Sequence, residues 1–340
     1  MKENTTEETD DKSLVEVAGD MVGEFAGAAD GIPKPIKKGF LKACNQLGTA
    51  WLEGKSIEIK ATSEARAMMT KGIAEKMLET GKIPEEYTQL AMEQQSRKIV
   101  RKRLNLDKIL QRTKGFLQND KEDIVSQTEE ISEDWLNSFE DIAENMSSEE
   151  MQIRFAKILA GEVKHPSSFS VKSIKMLSEI DTQTANLFAR FCGLCVAMKI
   201  SIRGRADIYQ DVRLVAIGGQ LGGNSMLKYR MGYENLTRLV EYGLISSDLN
   251  SYMPYSNSVA RSSSAQGLTP MYYQKKPYIL RQKTDKPEQR PELKIHGVAL
   301  TKAGRELYPV IDMISNEAHF KALQKHFLTQ KYEIEPVKIA

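Results

Sequence analysis

The chain has 340 residues, room for two or three domains with cores of their own, and an ordinary globular composition of 41% hydrophobic and 28% charged residues. A formal net charge of +2 excludes a partner chosen by bulk charge alone, and 22 glycines with 11 prolines are too few for a largely disordered chain. Three cysteines, Cys44, Cys192 and Cys195, exclude a disulfide framework. With a polar, acidic start unlike a signal peptide and no apolar stretch near the ~20 residues of a membrane span, they lead us to expect a cytoplasmic protein.

Residues 1–30 are acidic, and the first dozen read as disordered. Over 14–29 a helical stripe of Leu14, Val17, Ala18, Met21 and Phe25 opposes Glu16, Asp20 and Glu24. After the break Gly31-Ile-Pro-Lys-Pro35, a second helix over 34–52 has an apolar face with Phe40 and Trp51, backed by Lys34, Lys37, Lys38 and Lys42. That pattern fits a helix lying on an anionic membrane surface, and better a helix packed on a core with solvated lysines. A long helical stretch, 57–118, is interrupted near Gly81–Pro84 and carries the basic run Arg97, Lys98, Arg101, Lys102, Arg103. Such a run binds nucleic acid or forms a solvated face, and the acidic segment 119–150 is close enough in sequence to pair with it.

Residues 122–146 are predicted as one helix with Ile131, Trp135, Phe139 and Ile142 on its apolar side. Ser147-Ser-Glu-Glu150 has capping-box spacing for a helix to about Val163, stopped at His165-Pro166. Ser170 and Asp181 are placed as caps of helices over 171–180 and 182–199. Beyond residue 200, β-branched residues alternate with glycine, Gly218–Gly223 reads as a loop, and a helix over 225–242 ends at Gly243-Leu-Ile245. The Ser-, Tyr- and Pro-rich stretch 246–294 reads as a strand pair around a long loop, followed by a short strand at 298–300 and a terminal helix.

Recognised chemistry is scarce. Cys192-Gly-Leu-Cys195 has half-zinc or redox spacing, but no second ligand pair exists and it sits in an apolar helical run, so buried thiols are the simpler reading. Glu162-Val-Lys-His165 has di-iron spacing without the second motif such a site needs. No phosphate-binding loop, dinucleotide fingerprint, nucleophile elbow or kinase signature occurs. No catalytic, cofactor-binding or metal-binding residue is assigned, and a non-enzymatic protein is expected.

The run Leu236-Thr-Arg-Leu-Val-Glu-Tyr-Gly-Leu-Ile245, with Leu300-Thr-Lys-Ala-Gly-Arg-Glu-Leu307 after the strands, resembles the end of a winged-helix domain. That resemblance implies a DNA-binding or protein-contact module, with Lys228, Arg230 and Arg238 as the candidate contacts and Glu234 and Glu241 opposing them. Trp135-Leu-Asn-Ser-Phe139, Ile158-Leu-Ala-Gly-Glu162 and Pro166-Ser-Ser-Phe-Ser170, together with the C-terminal segment, resemble the signature of a bacterial family known only as a domain of unknown function, over roughly 130–310. It implies a helical fold and no activity; Ala160-Gly161 would let two helices pack closely. Ile32-Pro-Lys-Pro-Ile36 is similar to the start of Abi-alpha proteins of abortive phage infection, which makes phage defence a hypothesis.

The expected fold is mainly α: a helical region 1–120 with a disordered acidic start, a helical signature domain 121–200, a winged-helix-like α+β domain 201–320, and a tail 321–340. The leading function is a non-enzymatic interaction protein with a protein partner. A DNA-binding regulator and a membrane-directed effector acting through 34–52 are the alternatives, and oligomerisation is open.

Overall fold

The structure, a computed structural model, describes residues 29–47, 72, 85–119, 130–201, 208–254, 268–283 and 293–337. The expected helix at 14–29, Trp51, the first part of the 57–118 stretch and residues 120–129 lie outside these. The chain divides into two compact units, one ending at Val171 and the other beginning at Lys172, where the sequence suggests boundaries near 120 and 200. Among the described residues the fold is mainly α, with the strands in the second unit.

The first unit is a cluster of helices. α1 (Lys34–Gln46) starts on Pro33 and Pro35, whose fixed φ suits a first turn, and buries Ile36, Phe40, Leu41, Ala43 and Cys44. α2 (Glu85–Gln118) runs for 34 residues. Its C-terminal half buries Leu106, Ile109, Leu110, Thr113 and Leu117, a 3–4 spacing that builds one helix face. α3 (Glu133–Ala143) opens with Glu133 and Asp134, whose charge suits the positive helix start, and buries Trp135, Leu136, Phe139 and Ala143. It is shorter than the expected 122–146 helix: Glu130, Ile131 and Ser132 are not helical. α4 (Glu149–Lys164) is capped by Ser148, whose side chain accepts from the Met151 N–H. α4 packs on both α1 and α2, and α3 also meets both.

In the second unit, α5 (Val171–Glu179) and α6 (Thr182–Leu194) precede an antiparallel sheet. Asp181 caps α6 through the Thr184 N–H at 2.7 Å, as its position predicts. The helix ends at Leu194 instead of reaching 199, because Cys195–Ser201 is a strand, β1, paired with β2 (Ile208–Val215) from Cys195↔Leu214 onward. Two 3-10 turns, Leu221–Gly223 and Leu227–Tyr229, and α7 (Tyr233–Glu241) replace the single helix expected over 225–242.

The stretch 246–294 is more than a strand pair. β3 (Tyr252–Pro254) pairs with β6 (Lys294–Ala299), while β4 (Leu268–Tyr273) and β5 (Lys276–Gln282) form a hairpin on the other side of β1. α8 (Lys302–Leu307), α9 (Glu317–Thr329) and β7 (Tyr332–Pro336) follow, so the expected tail carries the end of a helix and an edge strand beside β5. Strand order among the described residues is β3-β6-β2-β1-β4-β5-β7. Val196, Met198, Met271, Leu280 and Ile334 of the sheet form one core with Leu323 and Phe327 of α9. On β2, Arg213 and Asp211 form a buried ion pair at 2.5 Å, and Arg213 Nη1 also donates to the Ile295 carbonyl at 3.1 Å. A buried charge pair persists only when its remaining donors are satisfied in this way.

Candidate functional site

The family-like signature of the first unit converges on one loop. After α4 the chain turns at Pro166, with Ser167 at φ +68°. The buried Glu162 carboxylate accepts the Ser167 N–H at 2.6 Å and the Phe169 N–H at 3.0 Å, so it holds the loop instead of facing a substrate. Trp135 Nε1 donates to the Phe169 carbonyl at 2.6 Å. Gly161 lies under the Phe169 ring, where a Cβ would come within 2.7 Å of it. At Gly161 the missing side chain leaves room for this ring.

The second signature is a lock of the same kind. α7 ends at Gly243 (φ +68°), and Ile245 bridges to Leu300. Thr301 Oγ1 donates to the Gly243 carbonyl at 2.6 Å and accepts the Gly304 N–H at 3.1 Å, capping α8. A Cβ on Gly304 would sit 2.1 Å from the Leu244 carbonyl oxygen, so only glycine allows that approach. Ser173 of α5 donates to Glu306 at 2.6 Å, tying a third element to α8.

Burial shifts the three thiols, Tyr273, Tyr308 and His319 toward their neutral forms. Burial pushes the Cys44 thiol up to about 12 and raises those of Cys192 and Cys195 as well, which disfavours the thiolate a redox pair would need. Tyr273 Oη lies 3.0 Å from His319 Nδ1, and burial, with Lys228 second, lowers His319 to about 4. His319 Nε2 and Tyr308 Oη have no hydrogen-bond partner among the described residues. No group of three metal-ligating side chains occurs there either.

The predicted contact residues are scattered. Lys228 and Arg230 are exposed around the turn before α7, Lys228 with its ammonium 4.9 Å from the Tyr229 ring centre, while Arg238 lies half-buried on α7 and donates to Gln183 at 3.3 Å. Sequence reasoning missed Leu227 and Tyr233 beside them, 63% and 52% exposed. Their apolar character at the start of a helix was the available signal.

On α1, Phe40 has no exposure and cannot meet a lipid surface. Lys38 pairs with Glu130 at 2.5 Å, and Lys42 lies 3.6 Å from the same carboxylate. Lys34 is exposed and Lys37 half-buried. The apolar face of α1 is packed in the first unit, and Trp51 lies outside the described residues. No helix among the described residues is long and apolar enough to cross a membrane. The basic run of α2 is partly neutralised as its sequence neighbourhood suggests: Lys102 pairs with Glu144, and Arg112 with Glu149 at 2.9 Å.

Residues 89–324 match the family described as Protein of unknown function (DUF2806), from within α2 to within α9. The chain belongs to that family. No curated protein and no solved structure matches. Both loops fall inside the DUF2806 match, and in both a side chain closes a turn on backbone groups.

Proposed function

We propose that this DUF2806 protein is a non-enzymatic interaction protein whose second unit holds a winged-helix-like module that contacts a partner protein through the start of α7. The observation that carries this reading is the pair Leu227 and Tyr233, 63% and 52% exposed where a phosphate-binding helix would present cations. Large exposed apolar groups with a polar rim mark protein contacts more than phosphate contacts. Glu234 and Glu241 on the same helix offset Lys228, Arg230 and Arg238. The winged-helix-like reading is supported by the order helix, Gly-Leu-Ile turn, paired strands β3 and β6, and a Thr-capped helix. Phage defence, suggested by the Abi-alpha likeness of residues 32–36, is the setting we propose, tested by phage plating on strains with and without the protein.

The test is capture from nuclease-treated lysate with the wild type and with Leu227→Glu/Tyr233→Glu. A protein recovered by the wild type and lost from a variant that melts at the same temperature supports the reading. A DNA-binding regulator is the second reading, favoured by the exposed Lys228 and Arg230. Salt-dependent duplex binding that disappears when Lys228, Arg230 and Arg238 are neutralised would replace the first reading with the second.

A further inference from the structure

The two halves of α2 are used differently. From Leu106 onward one face is buried in the first unit, whereas between residues 87 and 104 no residue with a described side chain is buried. A helical stretch without a buried apolar face gains little from propensity, since most helical stability in a protein comes from packing such a face. At 100° per residue, Leu90, Glu93, Arg97, Val100 and Leu104 form one stripe, spaced three and four apart, on the side opposite Leu106, Leu110 and Thr113. Leu90 and Leu104 are each 52% exposed and Val100 39%. A shallow groove lined by Glu93, Arg97, Val100, Arg101 and Leu104 follows this stripe and is closed at its far end by Ser147, before α4.

The stripe is its own complement when reversed. Leu90 and Leu104 lie seven residues either side of Arg97, and Glu93 and Arg101 lie four either side. We propose that a second copy of this chain docks on this face, antiparallel, about a two-fold axis at Arg97. Leu90 then meets the partner's Leu104, and Glu93 meets the partner's Arg101. Arg97 at the axis keeps the Glu93 carboxylate of its own helix at 2.5 Å, so the two guanidinium groups do not face each other bare. A parallel pairing would instead set Glu93 against Glu93 and Arg101 against Arg101, so the charges fix the direction as flanking charges do in coiled coils. An isologous interface of this kind closes at two copies. The surface belongs to the first unit and is independent of the reading of α7.

The experiment uses the full chain. Sedimentation equilibrium is expected to show a dimer. Leu90→Glu/Leu104→Glu is expected to raise the dimer dissociation constant by on the order of a hundredfold or more, because it places carboxylates in the seam. Glu93→Arg and Arg101→Glu should each weaken the dimer, and the double exchange should restore it while also restoring an Arg97–Glu pair within the helix. Direction is read by oxidative cross-linking. An equimolar mixture of Leu90→Cys and Leu104→Cys proteins should form a covalent dimer far faster than either alone, and the native Cys44, Cys192 and Cys195 are buried and should stay silent. A monomeric wild type, a dimer indifferent to the glutamate substitutions at equal helical content, or faster cross-linking of the separate variants than of the mixture would each overturn the proposal.

Discussion

His319 makes the second unit acid-sensitive in a way that can be isolated. The ring is fully buried between Tyr273 and Tyr229, with Tyr273 Oη at 3.0 Å from Nδ1 and Nε2 unpartnered among the described residues. Burial lowers its pKa from 6.5 to about 4, so it stays neutral in the fold where an unfolded histidine would already carry a proton. Between those values the unfolded chain binds more protons, and stability falls as pH falls. The sign is fixed: the contribution is fully present above 6.5, declines from 6.5 to about 4, and is constant below. That interval, at about 1.4 kcal/mol per pH unit, amounts to about 3 kcal/mol. Urea unfolding at pH about 7 and about 4.5, read by hydrogen exchange of the amides of β1 and β5, measures it in the wild type and in His319→Gln. The variant should lose about 1–2 kcal/mol at neutral pH and show a correspondingly flatter acid limb. Parallel pH curves for the two proteins would refute the reasoning. Trp135, in the first unit, supplies a fluorescence control that His319 should not touch.

Four further outcomes follow from the packing. Glu162→Ala leaves two loop N–H groups without their acceptor, and thermal melts should report a loss of about 2–4 kcal/mol; a loss under half a kcal/mol would show that the carboxylate does not hold the loop. Gly304→Ala forces a Cβ onto the Leu244 carbonyl and should cost at least about 2 kcal/mol by the same assay despite alanine's better helix propensity. Arg213→Met removes the buried ion-pair partner of the Asp211 carboxylate and should cost about 3–5 kcal/mol, recovered in large part by adding Asp211→Leu, as a double-mutant cycle will show. Phe40→Glu should unfold the first unit, lowering its Trp135 transition, and should produce no liposome phenotype in protein that remains folded.

Local chemistry decided what was legible in the sequence. The Asp181 cap, the helix after Ser147-Ser-Glu-Glu150 and the apolar face of α1 were readable because caps and 3.6-residue spacing are local signals. The β4–β5 hairpin was hidden because its turn carries neither glycine nor asparagine. Gln274 and Lys275 both take positive φ (51° and 63°), held by Gln274 Nε2 on the Gly193 carbonyl and Lys275 Nζ on those of Pro309 and Ile311. Those anchors are remote in sequence, so no window could show them. The role of Glu162 was equally invisible, because its spacing to His165 suggests metal chemistry until the chain returns past Pro166 and offers two N–H groups. The strand at Cys195 lost to an apolar run that fits helix and buried strand alike. At the start of α7 the cations drew attention through their charge, while the exposure of Leu227 and Tyr233 depends on tertiary packing.

The central proposal, that the two loops build turns while the start of α7 presents the working surface, is tested most directly by a photo-cross-linking residue at position 233, with exposed position 321 on α9 as the control. A nuclease-resistant protein adduct at 233, missing at 321 and lost with Leu227→Glu, is the expected result. Adducts to nucleic acid alone, or equal protein adducts at both positions, would contradict it.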